Sequence, residues 1–306
     1  DFLSAYLLQA FGDLGAALGL LEESARLAEK TNDRRHQSLT LHAMATVWVT
    51  RGELERAMGL YQQSLDIQEQ LGDLQGKSAT LHQMAGVWVN RGELERAMGL
   101  YQRSLEMTEQ LGDLQGKSAT LHGMASVWVT RGELERALGL FQQSLDIQEQ
   151  LGDLQGKGTT LASMADVWGT RGDLERAMGL YQQSLDVQEQ LGDLKGGSAT
   201  LANMAGVWVR RGELERAMGL YQQALDIEEQ LGNLKGKSRT LHNMAGVWVT
   251  RGKLERAMAL CQQSLEIHEQ LGDLQGKSAN LSAMANLWVT RGENERAMGP
   301  VSYTHL

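Results

Sequence analysis

Apolar residues recur along this chain at helical spacing. Leu81, Met84, Ala85 and Trp88 stand at i, i+3, i+4 and i+7, one stripe on a helix that we term helix A. After a break at Arg91-Gly92, Leu94, Ala97, Met98, Tyr101 and Leu105 carry a second stripe as far as Leu111, which we term helix B. Gly112 suits the left-handed residue that ends a helix, and Asp113 suits the cap of the next one. The spacing therefore predicts a helix A from about Leu114, with Gly116 inside it at some cost in propensity.

The pattern is periodic. All seven tryptophans, Trp48 to Trp288, fall 40 residues apart, each with an Arg-Gly pair three residues on. Such a period is the mark of a tandem repeat. The register divides the chain into a divergent unit at 1–40, six near-identical units at 41–280 and a truncated unit at 281–299, with no linker or second domain expected. Pro300 to Leu306 leave the register, and the string VSYTHL resembles a translation of the transposon end used in sequencing-library preparation. A non-native tail at 300–306 is therefore expected, and both chain ends are expected to be cut.

Composition narrows the function. With 42% hydrophobic and 22% charged residues the chain can bury a core. Its 38 acidic and 29 basic residues, a net charge of −9, argue against a nucleic-acid partner. Cys261, alone, cannot form an internal disulfide, and neither a secretion signal nor an apolar run of about 18 residues is evident, so a soluble cytoplasmic protein is expected with no membrane contact. Cys261 stands where other units carry Tyr61, Tyr101, Phe141, Tyr181 and Tyr221, which predicts a small residue in an aromatic core slot and a void beside it.

No chemistry emerges. His42, His82 and His122 form a ladder, but stacked helices lie about 8–10 Å apart while zinc ligands converge to about 2.0–2.1 Å, so they are not expected to share a metal. Glu53, Glu55, Asp66 and Glu69 recur on helix B as a solvated face, and phosphate-binding loops are absent. The chain is expected to be no enzyme and to hold no cofactor.

The string MAGVWVNRGELERAMGLY at 84–101, with Ala85, Trp88, Gly92, Ala97 and Tyr101 in these places, resembles the tetratricopeptide repeat. The 40-residue unit is similar to the long repeats of kinesin light chains, Pins-type adaptors and bacterial signalling proteins. Ala85 replaces the family's usual glycine, and the usual proline after helix B gives way to Glu109, Gln110 and Leu111. The resemblance implies an all-α, right-handed superhelical solenoid of antiparallel helix hairpins, with helix A lining a concave groove that binds a protein or peptide.

Comparison of the units with one another locates that groove. Leu81, Met84, Ala85 and Trp88 hardly vary and are expected to be core, whereas variation collects around His82, Gln83, Gly86 and Asn90. The expected wall comprises His42, Thr46 and Thr50; His82, Gly86 and Asn90; His122, Ser126 and Thr130; Asp166 and Thr170; Asn203 and Arg210; and His242, Asn243 and Thr250. Valines such as Val49 and Val89 edge it. Such a wall predicts recognition by hydrogen bonds and modest apolar contact rather than by strong charge. The Lys and Asn set of chaperone-binding members is absent. Drift at solvent-facing sites would give the same variation, and near-identity of the units points to recent duplication. Two rival roles stay open: the sensing arm of a larger bacterial signalling protein, and self-association through Leu281, Met284 and Trp288.

Overall fold

The computed structural model describes residues 14–292. Among them the chain forms fourteen α-helices and no strand: α1 (Leu14–Lys30), α2 (Arg34–Thr50), α3 (Leu54–Leu71), α4 (Leu74–Asn90), α5 (Leu94–Leu111), α6 (Leu114–Thr130), α7 (Leu134–Leu151), α8 (Leu154–Arg171), α9 (Leu174–Leu191), α10 (Leu194–Arg211), α11 (Leu214–Gln230), α12 (Leu234–Thr250), α13 (Leu254–Leu271) and α14 (Leu274–Arg291). Even-numbered helices are the A helices and odd-numbered ones the B helices. They fall into two compact units that divide after Gly156, α1–α7 in the first and nearly all of α8–α14 in the second. Gly12, Glu293 to Gly299 and the tail at 300–306 lie outside the described residues.

Each passage from helix B to the next helix A is built alike. α5 ends at Gly112 in the left-handed region, φ 66°. Asp113 N–H then returns to the Thr108 carbonyl at 2.8 Å, and the Asp113 carboxylate accepts from Gly116 N–H at 2.9 Å, so α6 begins at Leu114 as its spacing predicts. The cap also explains the glycine inside the helix. A Cβ on Gly116 would lie 2.4 Å from Asp113 Oδ2 and 2.8 Å from Thr108 Cγ2. Asp73, Asp193, Asn233 and Asp273 cap their helices in the same way.

Helix A is apolar on two faces rather than along one stripe. Ala85 and Trp88 pack with Ala97 and Tyr101 of their own hairpin, while Met84 and Val87 join Ala45, Ala57 and Tyr61 of the preceding one. This corrects the expected core: Val87, outside the predicted stripe, is 1% exposed, whereas Trp88 is only half-buried. The indole lies between the guanidinium groups of Arg91 and Arg96, each 4.8 Å from its ring centroid. Arg91 also pairs with Glu55 of the hairpin before it, at 2.9 Å. Glu55 and Glu69, read from sequence as merely solvated, thus reach into the neighbouring repeat, Glu69 through Lys77.

Buried hydroxyls stitch the hairpins. Ser64, Ser104 and Ser144 donate to the carbonyls of Ser38, Ser78 and Ser118, and Ser184 and Ser264 do likewise in the second unit. Ala224 breaks the series, and four residues on the buried Glu228 stands where Gln68, Gln148 and Gln188 stand elsewhere, accepting from Thr240 Oγ1 at 3.2 Å. Burial raises its carboxyl above the ordinary range.

The aromatic slot is as predicted: Tyr61, Tyr101, Phe141, Tyr181 and Tyr221 are buried, and so is Cys261. Beside Cys261 a Cβ added to Gly246 would meet nothing within 4 Å, whereas Cβ atoms on Gly86 and Gly206 would lie 3.9 and 3.8 Å from the hydroxyls of Tyr101 and Tyr221. The hydroxyl neighbour that Tyr101 and Tyr221 supply is thus missing at Gly246. Cys261→Tyr is expected to raise stability by about 1–3 kcal/mol, part of what an aromatic-to-alanine cavity costs. A lower urea midpoint than the parent's would show that the slot has closed around the cysteine.

Two glycine substitutions test the corner. Gly139→Ala, on a stretch of α7 where a Cβ meets nothing within 4 Å, should stabilise by about 0.5–1 kcal/mol through helix propensity alone. Gly116→Ala should instead destabilise by about 1–3 kcal/mol despite the same propensity gain, because the cap must shift. Equal gains in thermal unfolding would mean that the corner tolerates a methyl group.

Candidate functional site

In the first unit, helices α4 and α6 present a cleft of about 350 Å³ that brings together His82, Gly86, Asn90, His122 and Ser126, with Val49 and Val89 at its edge. These are residues that repeat comparison singled out. A second cleft of about 310 Å³ lies toward the helix N-termini and adds Gln75, Ala79, Gln115 and Ala119. Sequence reading missed this row. Its signal was available: 75, 79, 82, 86 and 90 continue one helical face, and positions 75 and 79 change to Lys235 and Arg239 three hairpins further along than 115 and 119.

The histidines are less free than a groove wall suggests. His42 and His82 stand edge-on to Tyr61 and Tyr101 with centroids 5.2 Å apart, and His122 to Phe141 at 5.0 Å. Nδ1 of His42 lies 2.9 Å from Thr80 Oγ1 on the next helix A. Burial lowers the imidazoles of His42 and His82 to about 4, and lowers that of His122 as well. All three are neutral at pH 7, half packing and half wall. Thr46 Oγ1 donates to the His42 carbonyl and accepts from the Tyr61 hydroxyl at 3.0 Å. Thr50 and Thr130 are exposed but spend their hydrogens on the carbonyls one turn back. Asn90 is exposed, with no hydrogen bond among the described residues.

The second unit differs in charge. The Tyr181 hydroxyl donates to the Asp166 carboxylate. Partial burial raises the Asp166 carboxyl, opposed by that bond and by the charges of Arg210 and Arg239. Burial, and then the charge of Asp166, raise the Tyr181 hydroxyl. Arg210 lies across Gly169, where a Cβ would come within 2.6 Å of its Nη2; other units carry valine there and a neutral residue in place of the arginine. Thr170 and Thr250 bond back to Asp166 and Gly246 carbonyls. Asn203 and Asn243 are half-buried on the same helices, and His242, lacking an aromatic neighbour at Cys261, is exposed with Nδ1 3.3 Å from Asn280 Oδ1. The wall is thus less uniformly neutral than the repeats suggest.

Sequence profiles described as tetratricopeptide repeat match residues 39–71, 77–150, 117–190, 200–235 and 238–271. The chain belongs to the tetratricopeptide repeat family. The fold agrees with solved members of this architecture. A STAND signal-transduction ATPase with a tetratricopeptide repeat sensor from Pyrococcus horikoshii is 18% identical with a TM-score of 0.67, over 92% of this chain and 43% of that one. The apo quorum sensor NprR from B. thuringiensis is 15% identical with a TM-score of 0.70, over 97% and 83%. A Rap protein complexed with competence and sporulation factor is 12% identical with a TM-score of 0.63, over 85% and 77%. The tetratricopeptide repeat chain thus spans less than half the length of the STAND protein. A search of curated proteins finds no match.

This tetratricopeptide repeat array is an all-α repeat solenoid, of a fold that is typically a non-catalytic scaffold. Among the described residues no helix is long and apolar enough to cross a membrane, and no three His, Cys, Asp or Glu side chains are grouped to hold a metal ion.

The buried histidines set a pH dependence. Unfolded imidazole titrates near 6.5, whereas His42 and His82 in the fold titrate at about 4. Between these values the unfolded chain binds more protons, so stability is retained above 6.5 and falls as pH drops through the window. At pH 5 each should cost about 1–2 kcal/mol relative to pH 7.5. His82→Ala, matching Ala162, should flatten the curve of urea midpoint against pH. A slope identical to the parent's would mean that the ring protonates in place.

Proposed function

We propose that this chain binds an extended protein or peptide segment in a groove lined by its A helices, and performs no chemistry of its own. The observation that carries this reading is the cleft along α4 and α6, where repeat-variable His82, Gly86, Asn90 and Ser126 share one wall bordered by valines. Polar groups aimed at a backbone, beside apolar edges, suit an extended segment. The Rap protein complexed with competence and sporulation factor supports the use of this architecture to hold a partner. The STAND protein, whose repeats form its sensor, supports a second role for the same groove, as the sensing arm of a longer protein.

The test uses peptides selected from a displayed random library against the whole chain. Asn90→Ala with Thr130→Ala should weaken a selected peptide by about tenfold, near 1.4 kcal/mol, with the melting curve unchanged. Gln102→Ala with Gln142→Ala, on exposed positions of the B helices, should leave binding intact. The reverse pattern would place the site on the outer helices.

A further inference from the structure

Charge is segregated between the two kinds of helix. Among the described residues the seven A helices carry one carboxylate, Asp166, although the chain has 38 acidic residues. Several cations on the A helices are already neutralised: Lys77, Lys117, Lys237 and Lys277 each pair with a glutamate of the preceding B helix, and Arg211 pairs with Glu175. Six have no carboxylate oxygen within ion-pair distance among the described residues: Arg34 and Arg35 at the start of α2, and Lys195, Arg210, Lys235 and Arg239 in the second unit, the last four all exposed. The four of the second unit depart from the commonest residue at their repeat positions. Lys195 and Lys235 stand where Gln75, Gln115, Gln155 and Gln275 stand and where Arg35 stands in the first repeat, Arg239 where Ala79, Ala119 and Ala279 stand, and Arg210 where Thr50, Thr130 and Thr250 stand.

Three of the exceptions meet in one place. Lys195, Lys235, Arg239 and the exposed His242 line a cleft of about 500 Å³ across α10, α12 and α14, larger than the clefts described in the first unit. Its one carboxylate, Asp273, is committed to its own helix cap and to His268. Lys195, Lys235 and Arg239 thus bring one sign of charge to one cleft on two adjacent A helices, in a chain of net charge −9.

We infer that the groove of the second unit recognises an acidic peptide segment, with Lys195, Lys235 and Arg239 receiving its carboxylates; this rests on the groove reading above and deepens it. The cations lie on two neighbouring A helices, Lys195 on α10 and Lys235 and Arg239 on α12, rather than converging on a point, which fits side chains spaced along an extended strand and not a single anion. Nucleic acid fits less well, because the cleft offers no tyrosine, tryptophan or phenylalanine on which bases stack, and the acidic outer helices repel a long polyanion. Recognition of this kind is screened by salt over about 8 Å at physiological ionic strength.

A displayed random linear peptide library, selected on the whole chain, reads the inference directly. Peptides enriched in Asp and Glu are expected. They should bind about tenfold more weakly, near 1.4 kcal/mol, to a chain carrying Lys195→Gln, Lys235→Gln and Arg239→Ala. Those residues already occupy the equivalent positions of other repeats, so the melting curve should not move. Enriched peptides without acidic bias, still weakened by Asn243→Ala, would overturn the charge inference and leave the groove standing. Acidic peptides insensitive to both sets of changes but lost on substituting Gln222 and Gln262 of the B helices would overturn the groove reading itself. Tighter binding of single-stranded oligo(dT) than of any acidic peptide would assign the cleft to phosphate and also overturn the inference.

Discussion

The close approach of each helix B end to the start of the next helix A governs the rest of the array. A left-handed glycine turns the chain, an Asp or Asn one residue later caps the incoming helix, and the glycine at the third helical position lets that cap sit flush against the preceding helix. A methyl group there would strike the capping carboxylate and Thr108 in the repeat containing Gly116. Because hairpins contact chiefly their neighbours, this local geometry recurs from hairpin to hairpin within each of the two units. The cost of glycine in a helix, about 1 kcal/mol, is offset by a cap worth a similar amount.

Two further layers rest on that spacing. The inner one is a seam of small and hydroxyl-bearing residues, Ala85, Ala97 and Ser104 among them, fully desolvated and hydrogen-bonded where polar. The outer one is an indole held between two arginines, one of which reaches a glutamate of the preceding hairpin. Each exposed ion pair contributes only about 0–1 kcal/mol. Their repetition in neighbouring hairpins, as at Arg131–Glu95 and Arg251–Glu215, matters more for holding register than any one pair does for stability.

Near-identity of the repeats gives weight to the exceptions. Where a repeat keeps the common residues, its A helix shows a nearly neutral face whose histidine is turned against a tyrosine or phenylalanine. Where it departs, the consequences are coupled: loss of the aromatic at Cys261 leaves His242 exposed, and loss of valine at Gly169 admits Arg210. The second unit thus acquires a cleft with its own charge, built on the same backbone.

Periodicity alone determined the helices, their boundaries and the repeat, because helix starts and stops depend on residues adjacent in sequence. Gly112, Asp113 and Leu114 declare the corner without any knowledge of what packs on it. The identity of the aromatic slot was legible for the same reason, since Cys261 could be compared with its counterparts position by position. Tertiary structure decided which apolar residues are deep. Val87 rather than Trp88 is buried because helix A faces two neighbours at once, a fact that a single stripe cannot carry. It also decided that His42 and His82 are desolvated, since the rings that cover them come from the following helix B. Pairwise proximity between distant helices leaves no local trace in sequence: the cations at 195, 235 and 239 lie up to 44 residues apart and become one surface only when two hairpins stack.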